Sequence, residues 1–280
     1  MTVPYTEILV VGGLLLLPIL YESSHVFRYH LKFFVYYFIV MFNSVLLIPV
    51  FCLRAKNVKN LILASYFCRW ITALIGIRWI LRGSDNLHEE RACIIVSNHQ
   101  SSLDILGMFN IWPTMGKCTV VAKRELFFAW PFGLAAWLAG LIFIPRVQKD
   151  EAKVIMNKAA EKIKSDKTKL FIFPEGTRRN TGQIHPFKKG AFHLAISAQL
   201  PILPVTFSRY YFLDKETKRF DSGVVIVNAL DAIDTKGMTF GNLDDLMENV
   251  RDKMSASFRD STKEVLDMVH HNNLCSQKNL

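Results

Sequence analysis

The sequence has little cysteine, and its cysteines are not spaced for cross-linking. Five of them are spread through 280 residues without a close pair. This spacing predicts neither a disulfide framework nor a cysteine-based metal site, and it is typical of a reducing compartment. Zinc-ligand spacing and RNA-binding signatures are also missing. We therefore expect no bound metal, no prosthetic cofactor and no nucleic-acid partner.

Two further signals are missing. Without a G-x-S-x-G motif, a serine nucleophile elbow is not expected. Ser101 and Ser102 are instead placed to cap a helix that begins near Leu103. The apolar run at residues 8–20 lacks the pattern of a cleaved signal peptide, because Glu7 precedes it, no Lys or Arg lies ahead of it and no small-x-small site follows. We expect this run to be retained.

Apolar and basic residues are what the sequence does have. Hydrophobic residues make up 51% of the chain, the mean hydropathy is +0.21, and the apolar residues are gathered in long runs. Such runs are typical of contact with lipid. The net charge of +10 and the pI of about 9.4 favour anionic partners. Because the basic residues are interleaved with apolar segments, a lipid bilayer and lipid phosphate are the expected partners.

The N-terminal part, residues 1–60, is predicted to hold two membrane helices. The second apolar run, residues 33–53, would span about 30 Å as a helix, enough to cross a bilayer. Basic residues follow it at Arg54, Lys56 and Lys59. By the positive-inside rule they place the downstream domain in the cytosol, although Arg28 and Lys32 argue weakly the other way. The two helices therefore either span the membrane or form a hairpin embedded in one leaflet.

A third segment, residues 61–82, mixes arginine and tryptophan with apolar residues. Arg69 and Trp70, and again Arg78 and Trp79, stand next to each other within it. This mixture is typical of a segment at the membrane interface, so we expect it to lie on the membrane.

From residue 83 the pattern changes to short apolar runs separated by turns, which predicts an α/β domain over residues 83–270. Residues 92–97 are a candidate buried strand, and His99 follows directly. Asp104 would lie in the first turn of the next helix, where its carboxylate can reach a ring nitrogen of His99. The alternative is that Asp104 only complements the helix dipole and that His99 is an ordinary loop residue.

A second strand, residues 170–173, runs into the turn PEGTRRN. Arg178 and Arg179 offer planar guanidinium groups for phosphate, and Gly176 and Thr177 leave backbone N–H groups open to an anion. The alternative is a solvated turn with charged edges.

Two further blocks are less specific. HPFKKGAF, residues 185–192, could add phosphate or membrane contacts through Lys188 and Lys189. LPILPV, residues 200–205, is a predicted strand whose prolines suit a sheet edge or the irregular wall of a cleft.

Together, NHQSSLD, GLIFIPR, FPEGTR and LPILPV resemble, in this order, the four sequence blocks of the glycerolipid acyltransferases, and among them most the 1-acylglycerol-3-phosphate acyltransferases. The resemblance covers residues 83–205 and implies a mixed central sheet flanked by helices, to which the apolar runs before it would add an N-terminal membrane-embedded helical hairpin. It implies transfer of a fatty acyl group from acyl-CoA to lysophosphatidic acid, which gives phosphatidic acid, and a location in the endoplasmic reticulum membrane. Another lysophospholipid acceptor, or transacylation between lipids, stays open, as does an idle scaffold that keeps the fold.

The resemblance also implies roles for single residues. His99 would be the general base and Asp104 its partner. The acceptor-binding residues would be Glu175, Gly176, Thr177, Arg178 and Arg146. Pro145 departs from the family pattern, since relatives often carry a polar or acidic residue there, and this makes the role of the GLIFIPR block less certain.

Residues 126–145 carry no charge and are long enough for a membrane helix. A single crossing would put NHQSSLD and FPEGTR on opposite sides of the bilayer, although both would have to serve one acceptor. Because Pro131, Gly133 and Gly140 interrupt the run, we expect a buried or membrane-dipping segment that lines a channel for the fatty chain. Ordinary core structure is the alternative.

The C-terminal part is predicted to be simpler. Residues 236–269 show helical spacing of apolar residues, with Leu246, Val250 and Met254 on one face, and suggest a peripheral amphipathic helix. The last ten residues, 271–280, are read as a polar tail that frays.

Overall fold

The short apolar runs of the sequence form a central sheet. The computed structural model describes residues 5–145 and 148–278. Within these residues the strands are β1 Ile77–Arg82, β2 Cys93–Ser97, β3 Cys118–Lys123, β4 Ile142–Ile144, β5 Lys169–Ile172, β6 Ile202–Phe207, β7 Leu213–Asp214, β8 Arg219–Phe220 and β9 Gly223–Ala229.

The sheet is mixed, as expected. Its strand order is β1-β9-β6-β2-β5-β3-β4, while β7 and β8 form a separate two-stranded ribbon. The pair β6 and β9 is antiparallel, and the other adjacent pairs are parallel. Parallel strands need crossover connections, and helices supply them here. The carboxyl ends of β2 and β5 consequently lie side by side at one edge of the sheet, where a site is expected.

Helices cover both faces of the sheet. They are α1 Tyr5–Ser23, α2 His25–Cys52, α3 Lys59–Cys68, α4 Ile71–Leu74, α5 Ser84–His88, α6 Asp104–Met115, α7 Phe132–Leu138, α8 Lys149–Ser165, α9 Gly190–Ala198 and α10 Leu243–Lys278. Because side chains alternate along a strand, Ile95 packs with α2, α3, α6 and α7, whereas Ile94 and Val96 pack with α8, α9 and α10. The molecule therefore has an α2 layer and an α10 layer on opposite faces of the sheet.

The two N-terminal helices are both present, and the single residue Ser24 separates them. Its hydroxyl caps α2 by accepting a hydrogen bond from the Phe27 amide at 3.2 Å. Among the described residues, α2 is the one helix long and apolar enough to cross a membrane, judged by length and composition. One face of α2 packs on the domain through residues such as Tyr36 and Val40, while its other face exposes apolar side chains, including Phe34, Phe38 and Phe42.

The segment at residues 61–82 is not one interfacial helix, which corrects the predicted boundary at residue 83. Helix α3 ends at Cys68 and helix α4 ends at Leu74. Strand β1 then enters the central sheet and pairs with β9, from Ile77–Gly223 to Arg82–Asn228. The α/β domain thus begins by Ile77. Trp79 and the arginines around it looked interfacial in the sequence because an edge strand shares this mixture of apolar and charged residues.

LPILPV is not at the sheet edge, which corrects a second expectation. β6 lies between β2 and β9, and all of its residues are buried. Pro204 is tolerated because β9 ends beside it: the pairing with β9 begins at Val205, opposite Ala229, and the Pro204 carbonyl accepts a hydrogen bond from Leu230 at 2.9 Å. The missing proline N–H costs no ladder hydrogen bond at such a position.

Residues 126–145 form core structure instead of a crossing helix. This run contains the end of a 3₁₀ helix at Arg124–Phe128, then the short helix α7 and then strand β4. Strand β4 pairs with β3. Pro131 precedes α7 and Gly140, with φ +83°, follows it, as expected, whereas Gly133 lies inside the helix. Phe128 and Trp130 are nevertheless strongly exposed.

The C-terminal helix is longer than the sequence predicts. α10 runs from Leu243 to Lys278, so the residues assigned to a fraying tail continue the helix as far as the structure describes them. Leu246, Val250 and Met254 are buried against the sheet and α9, which confirms the amphipathic pattern.

Candidate active site

His99 and Asp104 meet at the carboxyl end of β2. Nδ1 of His99 lies 2.6 Å from Oδ2 of Asp104, and the Asp104 side chain is fully buried. The same carboxylate accepts hydrogen bonds from the backbone amides of Gln100 at 2.9 Å and Ser101 at 3.2 Å. The serine cap expected at Ser101 or Ser102 is absent, since Leu103 precedes α6 without a side-chain cap. The Ser101 hydroxyl accepts only from the Leu103 amide, at 3.4 Å. Three partner groups, the His99 ring and the amides of Gln100 and Ser101, fix the carboxylate before any ligand binds.

The second ring nitrogen of His99 faces the FPEGTR turn. The Nε of Arg178 donates to Nε2 of His99 at 3.4 Å. An Nδ1–H donated to Asp104 leaves Nε2 as the acceptor, which is the tautomer that this contact requires. Phe173 stacks on the imidazole with ring centroids 4.0 Å apart and an interplanar angle of 20°. The ring is therefore held on three sides, and its side chain is 13% exposed.

The residues that flank His99 tie its loop to β6. The Asn98 side chain exchanges two hydrogen bonds with the backbone of Phe207, at 3.0 and 2.9 Å. The Gln100 amide group donates to the Ser208 carbonyl at 3.0 Å. Asn98 and Gln100 are buried, so these bonds are shielded from water and hold the backbone of His99 firmly. Their only sequence signal was their place beside His99, and both were missed.

Glu175 holds the same loop from the other side. Its Oε1 accepts from the His99 amide at 2.8 Å, and its Oε2 accepts from the His185 amide at 3.2 Å. Burial raises the pKa of Glu175 from 4.5 to about 7, although both amide donors act in the opposite direction. Because both oxygens are occupied by the backbone, this geometry favours a role in positioning His99 over direct acceptor contact.

The rest of the FPEGTR turn is exposed around a left-handed glycine. Gly176 has φ +68°, and a Cβ there would come within 2.8 Å of the Lys188 side chain. Thr177 and Arg178 are exposed. Arg146 lies outside the described residues. The structure thus brings His99, Asp104 and the turn together, as the sequence predicts.

Comparison with known proteins agrees with this geometry. An acyltransferase family model matches residues 78–208. The chain is 41% identical to 1-acyl-sn-glycerol-3-phosphate acyltransferase alpha of Homo sapiens, over 88% of this chain and 86% of the relative. It belongs to the 1-acyl-sn-glycerol-3-phosphate acyltransferase family. The Homo sapiens beta enzyme is 37% identical, over 88% of this chain and 89% of the relative.

A solved acyltransferase has the same fold. The crystal structure of the 1-acyl-sn-glycerophosphate (LPA) acyltransferase PlsC from Thermotoga maritima matches with a TM-score of 0.64 at 22% identity, over 85% of this chain and 97% of that one. The resemblance read from the four sequence blocks is therefore confirmed at the level of family and fold.

In this acyltransferase the apolar helix α2 also reaches the catalytic block. The Tyr36 hydroxyl donates to the Ser102 carbonyl at 2.9 Å, and the Tyr37 hydroxyl bonds to the Ser102 hydroxyl at 2.8 Å. Ser102 lies between His99 and Asp104 in sequence, so α2 stabilises the loop that carries the pair. Neither tyrosine had a sequence signal beyond its place in an apolar helix.

Proposed function

We propose that this acyltransferase transfers a fatty acyl group from acyl-CoA to the sn-2 hydroxyl of 1-acylglycerol-3-phosphate and produces phosphatidic acid. The names of its relatives support this reaction. The observation that carries it is the 2.6 Å contact between His99 Nδ1 and Asp104 Oδ2, with Nε2 turned towards Arg178. This arrangement suits a general base, His99, that stands beside a cationic side chain able to bind the phosphate of the acceptor.

The chemistry needs one proton acceptor. Neutral His99 accepts the proton of the acceptor hydroxyl at Nε2 while the hydroxyl oxygen attacks the thioester carbonyl. Asp104 stabilises the imidazolium that forms. The C–S bond then breaks, and the CoA thiolate leaves with little acid assistance because the pKa of a thiol is about 8.5. The proton on His99 passes to this thiolate, which restores the neutral base.

Arg178 has two parts in this proposal. In the unliganded site its Nε–H occupies the nitrogen that must accept the proton. When the acceptor binds, its phosphate draws the guanidinium away through a bidentate contact, and the hydroxyl takes the vacated position at Nε2. Phosphate binding and exposure of the base are thereby coupled. Thr177 contributes its backbone N–H group to the same anion, whereas the Gly176 N–H predicted for this role already donates to the Phe173 carbonyl at 3.1 Å. Arg146 remains a predicted additional ligand of the phosphate.

We further propose an integral protein of the endoplasmic reticulum membrane whose catalytic domain faces the cytosol. Helix α2 supports membrane association. The basic residues Arg54, Lys56 and Lys59 directly after it favour a cytosolic domain.

The test compares two histidine variants. Membranes that contain the full chain are given acyl-CoA and a panel of lysophospholipids, beside His99→Ala and the exposed control His88→Ala at matched protein levels. We expect His99→Ala to lower lysophosphatidate acylation by at least about 10²-fold and His88→Ala to leave it unchanged. Unchanged turnover in His99→Ala would refute the catalytic assignment. Preference for another lysophospholipid, or acyl transfer without acyl-CoA, would refute the proposed substrates but would leave His99 assigned as the general base.

A further inference from the structure

Three arginines lie beyond the catalytic pair, near the loop of residues 179–185. Arg179 Nη1 lies 3.3 Å from His185 Nδ1, and Arg209 Nη1 lies 3.3 Å from where a Cβ on Gly182 would stand. Burial lowers the pKa of His185, and the positive charges of Arg179 and Arg251 lower it further. We call Arg179, Arg209 and Arg251 the arginine cluster.

The arginine cluster has no close carboxylate partner in the part of the chain that the structure describes, although Glu175 lies near enough for the charge of Arg179 to lower the pKa of the Glu175 carboxyl group. Among the described residues, the ion pairs within 4.0 Å include none of its three members, whereas the neighbouring Lys189 pairs with Asp244 at 2.7 Å. All three arginines are exposed. Like charges held together without counter-charges repel one another, and a ligand with several negative charges relieves this repulsion.

The loop that carries Arg179 is firmly held. The Arg179 amide donates to the His99 carbonyl at 2.9 Å. The side chain of the next residue, Asn180, donates to the carbonyls of Tyr210 and Leu213, both at 2.9 Å. On the other side of the loop, the Thr181 hydroxyl bonds to the His185 ring at 2.7 Å. The backbone position of Arg179 is thus fixed before a ligand binds.

The acceptor phosphate does not account for this cluster. The phosphate and the reacting hydroxyl of a lysophosphatidate are a few bonds apart, so the phosphate must bind near Nε2 of His99, where Arg178 already lies. Arg179 is directed elsewhere, towards His185. The cluster therefore suits a second anionic group that is further from the reacting atoms.

A membrane surface does not account for it either. Arg251 lies on α10, and α10 packs on the sheet face opposite to α2, whose exposed aromatic residues form the apolar surface. An anionic group that binds the arginine cluster must therefore approach it from water.

We propose that the arginine cluster binds the phosphate groups of the nucleotide part of acyl-CoA. The identity of this donor rests on the function proposed above. The long pantetheine arm separates these phosphates from the thioester, so the thioester can lie at His99 while the nucleotide lies at the α10 layer. Guanidinium groups are well suited to the 3′-phosphate and the diphosphate because they bind phosphate oxygens in a bidentate manner.

The experiment uses the full chain in detergent micelles and the variants Arg179→Ala and Arg251→Ala. The matched control is Lys253→Ala, an exposed cation on the same helix two residues beyond Arg251 and therefore on a different side of it. CoA binding is measured by calorimetry. Acylation is measured with palmitoyl-CoA and with palmitoyl-dephospho-CoA, which lacks the 3′-phosphate.

We expect each arginine variant to weaken CoA binding about fivefold, a modest effect because the side chains are exposed, and Lys253→Ala to change it less than about twofold. KM for palmitoyl-CoA should rise while KM for lysophosphatidate and kcat stay constant. The wild-type preference for palmitoyl-CoA over its dephospho form should shrink in at least one arginine variant.

Unchanged CoA affinity in both arginine variants would overturn the inference. So would a rise confined to KM for lysophosphatidate, which would assign the cluster to the acceptor. Weaker binding to vesicles of anionic phospholipid, with CoA affinity unchanged, would assign it to the membrane and overturn the inference as well. A different outcome would separate the two proposals. If the arginine variants bind CoA more weakly but the wild-type protein does not acylate lysophosphatidate, the proposed function is refuted and the CoA site stands.

Discussion

At the residue scale, the site depends on hydrogen bonds that restrict His99 before substrate arrives. Asp104 fixes Nδ1, Phe173 holds the ring plane, and Glu175 holds the backbone amide. Such restriction lowers the reorganisation needed during the reaction.

Glu175 makes the stability of the protein depend on pH. Its pKa is about 7 in the folded protein and 4.5 ordinarily. Between these values the folded state holds more protons than the unfolded state, so the free energy of unfolding falls as pH rises through this window. The change is on the order of 3 kcal/mol for the whole window. We expect the melting temperature in micelles to fall from pH 5 to pH 8.

The variant Glu175→Gln should remove this dependence. It replaces one acceptor oxygen by an NH₂ group and loses one backbone hydrogen bond, about 1 kcal/mol, so it should be less stable than wild type at pH 5. At pH 8 the difference should shrink or reverse. Glu161→Gln, at an exposed carboxylate, serves as the control and should follow wild type. Parallel pH profiles for wild type and Glu175→Gln would contradict the assigned pKa.

At the element scale, α2 has two functions that its sequence does not separate. Its exposed face is suited to lipid, and its buried face carries Tyr36, which bonds to the catalytic loop at Ser102. Membrane attachment and the geometry of the site therefore share one helix. Shifting α2 along the domain would move the loop that holds Asp104.

Two neighbouring tyrosines test this connection. Tyr36 is 1% exposed and bonds to a backbone carbonyl, whereas Tyr37 is 44% exposed and bonds to a hydroxyl that can turn to water. We expect Tyr36→Phe to lower stability by about 1 kcal/mol and to reduce kcat, because the Ser102 carbonyl loses its buried partner. Tyr37→Phe should change both little. Thermal unfolding and initial rates measure the two effects, and equal effects of the two changes would argue against a special role for the buried tyrosine.

At the scale of the whole molecule, the mixed sheet separates two chemical surfaces. The α2 layer carries the exposed apolar residues, and the α10 layer carries Arg251. The catalytic pair lies at the strand ends between them. A lipid acceptor can therefore approach from one side and a water-soluble donor from the other.

The run at residues 126–145 gives a prediction about topology. Because β4 within it pairs with β3, the chain before and after this run belongs to one domain. Single-cysteine variants at His88 and Glu161, both exposed, are made after Cys52 and Cys275 are replaced by serine. In sealed membrane vesicles a membrane-impermeant maleimide should modify both positions to the same extent.

The remaining cysteines give little background in that labelling. Cys68, Cys93 and Cys118 are buried, and burial raises the pKa of Cys93 to about 11. Thiolates, which react with maleimides, are therefore scarce at these positions. Modification of one engineered cysteine but not the other would contradict the single-domain topology.

Sequence alone was sufficient where the signal is local. The polar residues after two apolar strands predicted the pairing of His99 with Asp104 and the polar turn at Arg178, because a buried strand and the turn after it lie next to each other in the chain. Helical periodicity likewise predicted the buried face of α10 through Val250.

Tertiary structure decided the rest, because those contacts join residues far apart in sequence. Strand β1 could not be recognised before β9 was there to pair with it, and Pro204 looked like an edge residue because the end of β9 beside it was unknown. The same reason hid the hydrogen bond from Tyr36 to the Ser102 carbonyl, and it hid the approach of Arg209 to Gly182 and of Arg251 to His185. The sequence determined the fold class and the pairing of His99 with Asp104, and long-range packing determined what holds that pair in place and which further charges surround it.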